Sequence, residues 1–342
     1  MHNILNDVLI GDDTWLFAYQ GTNFIHNILQ GKSSLTELQI QTWQTLLEER
    51  KAFCSSFGAD YHFIIVPLKQ CVYTDKLAWY TISEQRPAKQ LQENTAAKYP
   101  LAFFQELKKD TPCYYQYDTH WNDFGCDKFY AYLLKQELPV KIEEFYAVPL
   151  HDLWVKIHSK PCPQALCYRY PQNNILYYNQ IENVGGLIIC ENKAHSKNIA
   201  VIFGDSFTRF CINTISQYFS HVFFFQTTGF DKDILQKIQP DIVINCHAEN
   251  FIHSAEEIRF QNFFDALLYK FLISGKNTLL QQKELKQYAF LLPEEQVQIL
   301  QEIILLFQKP QFTTEHILAY LCSRHGMDEN SLIRLLSYKK VS

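Results

Sequence analysis

The sequence lacks the clustered positive charge that proteins use to bind nucleic acid. Its 31 Lys and Arg residues are outnumbered by 36 Asp and Glu residues, which gives a net charge of −5, and the two signs are interspersed. Binding to the phosphate backbone of DNA or RNA depends on a basic patch or stripe. No nucleic acid is therefore expected as a partner.

Long hydrophobic runs are also missing. No stretch approaches the roughly 18 uninterrupted apolar residues that indicate a transmembrane helix, and the dense segment ILQEIILLF at 299–307 is short and carries a charge. The first residues, MHNILNDVLIGDDTWLF, lack the basic region, apolar core and cleavage site of a secretory signal peptide. The expected location is the cytoplasm, with peripheral association with a membrane left open.

The ten cysteines follow no repeated spacing. Several lie in apolar segments typical of strands, such as Cys190 in GLIIC and Cys246 in IVINC. A buried cysteine behaves as a small hydrophobic side chain, so reduced thiols are expected rather than a disulfide framework. Cys162 and Cys167 would supply half of a metal site, but no matching second pair is present, and no metal is predicted.

The composition is that of a folded protein with a sizeable core. Hydrophobic residues make up 47% of the 342 residues and aromatic residues 15%, and no internal repeat or low-complexity segment is present. A chain of this length forms one large domain, or one domain with a smaller appendage.

Strands and helices alternate along much of the chain. The apolar spacing predicts a helix over 34–57, with Ser34 and Gly58 at its ends, and then a buried strand over 61–67. Strand, helix, strand, helix and strand follow in turn at 198–204, 206–219, 221–226, 231–238 and 241–246. Right-handed crossovers turn such a pattern into a three-layer α/β/α fold with a mainly parallel sheet.

Two segments depart from this alternation. Residues 140–197 are rich in Tyr and Pro without periodicity, which indicates an irregular or β-rich insertion within a larger domain of residues 1–270. Helical segments after about residue 255 indicate a helical C-terminal appendage over 278–342. Helices of this kind more often pack against a protein partner or a second copy of the chain than catalyse.

The segment VIFGDSF at 201–207 places Ser206 directly after a strand and at the start of a helix. Gly204 permits a tight turn, and ligands of a doubly wound sheet bind beyond the carboxyl ends of its strands. The N–H groups of a helix N terminus suit an oxyanion, so Ser206 is placed as a nucleophile. Alternatively, Asp205 or Ser206 is only the N-cap of the helix. The tripeptide alone favours neither reading.

The segment DTHWN supplies what a serine nucleophile needs. A serine hydroxyl requires a base, and the base requires an orienting carboxylate, which His120 and Asp118 would provide. His120, next to Trp121, would otherwise be a core histidine, or the Asp-x-His pair would be part of a metal site. No third ligand is identifiable from spacing, so the triad with Ser206 ranks above a metal.

Five segments, in this order and spacing, resemble the SGNH hydrolase-like domains of alginate and polysaccharide O-acetylation proteins. They are GDDTWLF (11–17), FIIVPLKQCVYTDKL (63–77), YDTHWNDFG (117–125), VIFGDSF (201–207) and PDIVINCHAEN (240–250). The resemblance covers roughly residues 10–255. The tail that follows has no counterpart.

The resemblance implies a Ser-His-Asp triad in permuted order, with Asp118 and His120 before Ser206. It implies an O-acetyltransferase: Ser206 takes an acetyl group from a donor and passes it, through an acetyl-serine intermediate, to a hydroxyl of a bacterial polysaccharide or glycan. The Ser206 N–H and a second, unassigned donor would hold the oxyanion. No bound cofactor is expected; acetyl-CoA is a natural donor in the cytoplasm, although no nucleotide-binding motif supports it.

Further candidates for substrate or oxyanion contacts lie beside these motifs. They are Asp205, Arg209, Trp121, Asn122, His247, Glu249 and Asn250. Arg209 is equally interpretable as a solvated surface charge.

Relatives in this family are normally exported or membrane-anchored, whereas the ten cysteines and the missing export signal favour an enzyme that acetylates capsule, lipopolysaccharide or another glycan before export. An acetylesterase of the same fold is the first alternative. A non-catalytic scaffold subunit of a glycan-assembly complex is the second.

Overall fold

The computed structural model of the protein describes residues 4–20, 24–138, 140–148, 150–193, 198–253, 255, 260–274, 288–309 and 311–336. The strands are β1 (Ile4–Leu5), β2 (Val8–Ile10), β3 (Leu16–Ala18), β4 (Asp60–Val66), β5 (Glu143–Ala147), β6 (Ala165–Arg169), β7 (Ile175–Tyr178), β8 (Leu187–Glu191), β9 (Ile199–Gly204), β10 (His221–Gln226) and β11 (Ile242–Ala248).

The helices flank these strands along the chain. They are α1 (Ile25–Leu29), α2 (Glu37–Ser55), α3 (Lys69–Val72), α4 (Pro87–Asn94), α5 (Leu101–Leu107), α6 (Asp123–Leu134), α7 (Trp154–Ile157), α8 (Ser206–Phe210), α9 (Ile212–Ile215), α10 (Lys232–Ile238), α11 (Phe263–Ser274), α12 (Glu294–Phe307), α13 (Thr314–His325) and α14 (Glu329–Leu336). Across the described residues, no helix combines the length and the apolarity needed to cross a membrane.

A six-stranded central sheet runs through the described part of the chain in the order β4-β11-β9-β10-β8-β7. The first four strands are parallel, and β8 and β7 continue the sheet in antiparallel pairing. From β9 the chain moves to β10 on one side and then crosses back to β11 on the other. The carboxyl ends of β9 and β11 therefore flank a crevice, where α/β sheets bind their ligands.

Helices cover both faces of this sheet because its central strands are apolar on both sides. On one face, Ile202 and Ile244 pack in a cluster with Phe129 of α6 and Ile215 of α9. On the other face, the alternate side chains pack against α2, α10 and the C-terminal helices. The predicted three-layer α/β/α fold with a mainly parallel sheet and C-terminal helices is confirmed.

The prediction of an irregular insertion over 140–197 needs correction. β5 and β6 do form a separate antiparallel pair, but β7 and β8 belong to the central sheet, with Ile188 opposite Phe224 of β10. β8 is a short, continuously apolar run, and periodicity alone does not assign such a run to one sheet or another.

Two predicted helices have different bounds in the structure. The first begins at Glu37 because Thr36, not Ser34, is its N-cap, in a capping box with Gln39. The helix predicted over 206–219 is interrupted at Cys211, which has non-helical dihedrals, and continues as α9 and a 3-10 turn at Ser216–Tyr218. This break leaves α8 as a short element that holds Ser206.

The C-terminal helices share one core with the sheet. Leu300 and Ile303 of α12 lie in the same buried cluster as Phe263 of α11 and Phe225 of β10, and the rings of Phe225 and Phe263 are 4.8 Å apart. The predicted boundary between 270 and 278 falls partly in 275–287, outside the described residues. Association with a partner protein or a second copy through these helices stays a prediction.

Replacing Phe263 with Ala tests this shared core. We expect the free energy of unfolding to fall by about 3–5 kcal/mol, because a fully buried aromatic ring is removed from the face of the sheet. Urea unfolding followed by fluorescence and circular dichroism measures it, with Leu38→Ala on an exposed position as the control. Two separate unfolding transitions, with only the later one moved, would contradict a common core.

Candidate active site

A tight loop between α5 and α6 holds Asp118 and His120. Its base is closed by two backbone hydrogen bonds, from the Tyr115 N–H to the His120 carbonyl (3.1 Å) and from the Asn122 N–H to the Cys113 carbonyl (3.1 Å). Asp118 is only 1% exposed at the turn of this loop. The chain thus doubles back, and the two side chains meet although they are two residues apart.

Both oxygens of the Asp118 carboxylate accept hydrogen bonds. Oδ1 accepts from the His120 backbone N–H at 2.9 Å and lies 2.6 Å from His120 Nδ1, while Oδ2 accepts from the Asp152 N–H at 2.8 Å. Burial disfavours ionisation of Asp118, but the hydrogen bond and the charge of His120 outweigh burial, so the pKa of Asp118 is lowered. The carboxylate is therefore ionised at neutral pH.

Ser206 stands at the carboxyl end of β9 because Asp205 fixes the turn into α8. Asp205 Oδ1 accepts from the Phe207 N–H (2.9 Å), which makes Asp205 the N-cap, and Oδ2 accepts from the Ala248 N–H (2.7 Å) at the end of β11. Burial raises the pKa of Asp205 to about 6, although the two hydrogen bonds act to lower it. Gly204 is needed for close approach, since a Cβ there would lie 2.7 Å from Thr208 Oγ1.

The structure brings the predicted nucleophile and base into contact. His120 Nε2 lies 2.8 Å from Ser206 Oγ, so the imidazole is hydrogen-bonded to Asp118 on one nitrogen and to Ser206 on the other. The His120 ring packs against the rings of Phe207 (4.7 Å) and Phe210 (4.8 Å). Burial lowers the pKa of His120, but the hydrogen bond and charge of Asp118 prevail and raise it above the ordinary value.

A pocket of about 240 Å³ opens in front of Ser206 and His120. Besides Ser206 and His120, its polar lining includes Gln20, Lys69, Asp152, Lys156 and Asn250. Of the seven further candidates, Asn250 is the one that lines this pocket.

Trp121 and Asn122 support the site without reaching the pocket. The Trp121 indole N–H donates to the Phe207 carbonyl (2.8 Å), which joins the His120 loop to α8. Asn122 is the N-cap of α6 and accepts from the Gly125 N–H at 2.8 Å. The Trp121 contact fixes the His120 loop on α8, and the Asn122 contact fixes it on α6. Neither side chain lines the pocket, contrary to the predicted contact with substrate.

Arg209 and Glu249 are also corrected, because each is committed to protein groups. Arg209 donates to the Tyr178 hydroxyl (2.5 Å) and lies over its ring, so it is neither a solvated charge nor a pocket residue. Glu249 is fully buried: its carboxylate pairs with Arg86 (2.7 Å) and accepts from the Tyr99 hydroxyl (2.8 Å) and the Leu68 N–H (3.1 Å). Glu249 does not line the pocket.

His247 lies on the other face of the sheet. Side chains alternate along β11, so His247 points away from Cys246 and packs beside Phe63, with 6.1 Å between ring centroids. Burial, and then the charge of Arg50, lowers the pKa of His247 to about 3. It is a neutral core histidine, and its predicted place at the rim is wrong.

Lys69 was not among the predicted site residues. It is 1% exposed, and its ammonium donates to the carbonyls of Tyr115 (2.9 Å), Gln116 (3.2 Å) and Asp118 (2.6 Å). Burial lowers the pKa of Lys69 to about 7, against the attraction of Asp118 and Asp152. The sequence did contain a signal for this residue. Lys69 lies in the apolar run FIIVPLKQ, and a charged side chain buried there needs partners inside the protein.

Asp152 was also missed, and nothing in the aperiodic segment around it indicated a site. It supplies the third potential metal ligand that spacing did not reveal, since one donor atom from each of Asp118, His120 and Asp152 lies within 4.8 Å of the others. In the structure, His120 and both Asp118 oxygens are hydrogen-bonded within the cluster. These potential ligand atoms are already engaged in hydrogen bonds with protein groups, so we assign no cation site.

The structure is a three-layer α/β/α fold in which Asp118, His120 and Ser206 meet at one edge of the sheet. Residues 8–141 match the family model described as "SGNH hydrolase-like domain, acetyltransferase AlgX". This segment is less than half of the chain; it contains Asp118 and His120 and ends before Ser206. Comparison with curated protein sequences returns no match.

Two solved structures are similar in fold. The structure of Bacillus cereus PatB1 with a sulfonyl adduct has 14% identity and a TM-score of 0.51, covering 72% of this chain and 95% of that one. A DHHW family protein from Eubacterium siraeum has 14% identity and a TM-score of 0.50, with 72% and 92% covered. The resemblance to the SGNH hydrolase-like domain of O-acetyltransferases is confirmed over residues 8–141, and these two structures share the fold.

His247 gives a pH test of the core behind the site. Its pKa is about 3 in the folded chain and about 6.5 when unfolded, so between these values only the unfolded chain takes up the proton. Stability should fall as the pH drops, by about 2 kcal/mol between pH 6.5 and 5. His247→Leu should remove this loss, as measured by urea unfolding at both pH values.

The control is the same replacement at the exposed His158, which should keep the acid sensitivity of the natural protein. An identical loss in His247→Leu and His158→Leu would contradict the assignment of His247 as a neutral core residue.

Proposed function

We propose that the protein is a serine-dependent O-acetyltransferase that moves an acetyl group through an acetyl-Ser206 intermediate to a hydroxyl of a bacterial polysaccharide or glycan. The observation that carries this proposal is the continuous contact from Asp118 through His120 to Ser206, with 2.6 and 2.8 Å between the bonded atoms. The match of residues 8–141 to an acetyltransferase domain supports the choice of acyl group.

Acylation begins with the Ser206 hydroxyl. His120 Nε2 accepts its proton as Oγ attacks the acetyl carbonyl, and the bond between that carbonyl and the donor's leaving group then breaks. The proton passes from His120 to the leaving group. Asp118 stays ionised, holds Nδ1 and stabilises the imidazolium, which fits the lowered pKa of its carboxyl.

Transfer reverses these steps with a different alcohol. A sugar hydroxyl gives its proton to His120 and attacks the acetyl-serine, and Ser206 Oγ leaves with the proton that His120 returns. The Ser206 N–H is the first proposed oxyanion donor. Asn250, which lines the pocket beside Ser206, is the second. Acetyl-CoA is the proposed donor, and it contributes only its thioester to this scheme.

Trapping the intermediate tests the proposal. The protein is incubated with a chromogenic acetyl ester or with acetyl-CoA, and intact mass is followed by peptide mapping. We expect one added acetyl group on Ser206, and an oligosaccharide acceptor should discharge it faster than buffer does. Ser206→Ala should lower turnover by at least about 10³-fold because the nucleophile is lost, whereas Ser55→Ala at an exposed position of α2 should not change it.

The outcomes separate the alternatives. Turnover that no acceptor accelerates would indicate an acetylesterase. No serine-dependent turnover and no acetyl-Ser206, with a sulfonyl fluoride also failing to label the serine, would overturn the proposal in favour of a non-catalytic subunit.

The rate of acylation should depend on the protonation of His120. The base must be neutral and its pKa lies above 6.5, so the rate should rise with pH and level off only above that value. Asp118→Asn should lower the rate by about 10³- to 10⁴-fold, because the amide keeps only one of the two acceptor oxygens that Asp118 uses and has no charge to stabilise the imidazolium. Stopped-flow measurement with the acetyl ester checks both; a rate independent of pH from 5 to 9 would contradict a histidine base.

A further inference from the structure

Asp152 and Thr119 form a clasp over the triad. The two oxygens of Asp152 accept from the Thr119 N–H (2.9 Å) and the Thr119 hydroxyl (2.7 Å). The Asp152 N–H in turn donates to Asp118 Oδ2 at 2.8 Å. One residue of the loop before α7 therefore holds the chain on both sides of the turn that presents Asp118 and His120.

A second contact fixes the same loop. The Trp154 N–H donates to the Tyr117 carbonyl (3.2 Å), and the two rings are 4.8 Å apart in an edge-to-face arrangement. Asp152 is thereby anchored on the residues that precede and follow Asp118. One carboxylate oxygen of Asp152 stays within 4.8 Å of a ring nitrogen of His120.

Several charged groups from different elements surround the imidazole. Among the described residues they are Asp118 on the same loop, Asp152 before α7, Asp205 before α8, Lys69 of α3, Lys156 of α7, and Arg209 beyond the ring of Phe210. Lys69 is turned towards the backbone carbonyls of the loop, and Lys156 is exposed. After Asp118, Asp152 is the carboxylate with the largest electrostatic effect on His120.

We propose that Asp152 is a positioning residue of the acyl transfer: its N–H fixes the second oxygen of Asp118, and its carboxylate, held by Thr119, stabilises the imidazolium of His120. This role rests on the proposed function. Asp152 itself touches no reacting atom. Its effect passes through the orientation of Asp118 and through the charge beside His120.

The test uses Asp152→Asn, which keeps the backbone N–H and a side-chain acceptor for Thr119 but removes one negative charge. Titration of the histidine C–H resonances by NMR, with the His120 signal identified by its loss in His120→Gln, measures the pKa directly. We expect the His120 pKa to fall by about 0.5–1 unit, because a single exposed charge at this distance is partly screened by water. The acid limb of the acylation rate should move to lower pH by the same amount.

The matched control is Asp233→Asn, an exposed carboxylate on α10 on the other face of the sheet, which should leave the His120 pKa and the rate profile unchanged. An unchanged His120 pKa in Asp152→Asn would overturn the role of the Asp152 carboxylate, even if acylation of Ser206 were fully established. If Asp152→Asn does not fold, the natural protein still decides, since a His120 pKa at or below 6.5 contradicts net stabilisation of the imidazolium.

The two proposals fail differently. A lowered His120 pKa together with no acyl-Ser206 at any pH would support the clasp and overturn the acyltransferase. A normal acylation rate whose pH dependence is the same in Asp152→Asn and Asp233→Asn would support the acyltransferase and overturn the role of the Asp152 carboxylate.

Discussion

A carboxylate that is 1% exposed must find its charge compensation inside the protein, and Asp118 sets this requirement for the whole site. His120 supplies two donors and Asp152 a third, while Lys69 places a buried ammonium on the Asp118 carbonyl. These partners come from three separate stretches of chain. The loop, the segment before α7 and the first turn after β4 are thus arranged around one negative charge.

The central sheet positions Ser206 next to the imidazole of His120. Asp205 joins the end of β9 to the end of β11 through the Ala248 N–H, and it also caps α8. Trp121 ties α8 back to the His120 loop through the Phe207 carbonyl. The hydroxyl is therefore placed from two directions, by the sheet beneath it and by the loop beside it, and the site does not rely on a flexible connection.

Much of the fold and the three central side chains were predictable from the sequence. β9 and β10 were predicted within one residue because continuous apolar strands bounded by polar turns give a clear pattern. The membership of β7 and β8 in the central sheet was missed because a short apolar run does not show which sheet it joins. Asp118, His120 and Ser206 could be identified from the sequence because each lies in a short motif whose residue types match the needs of a serine nucleophile.

Several of the other site predictions failed because the contacts that decide a side chain's role come from distant parts of the chain. Glu249 and Asn250 are neighbours with opposite roles: one is buried against Arg86 and the other lines the pocket. Asp152 depends on Thr119, 33 residues earlier, and no periodicity reports such a contact. Side chains alternate between the two faces along a strand. This rule alone places His247 on the face opposite Cys246, so the sequence contained the information needed to predict its position.

The Arg86–Glu249 pair has a consequence for how the pocket can change. Glu249 holds the Leu68 N–H and directly precedes Asn250, so a single internal pair fixes the spacing between the turn after β4 and the turn after β11. Removing either charge would leave the other buried without a partner, which would lower the free energy of unfolding by about 3–5 kcal/mol. Gln20 and Lys156 also line the pocket but take no part in this pair, so changing them leaves no buried charge without its partner.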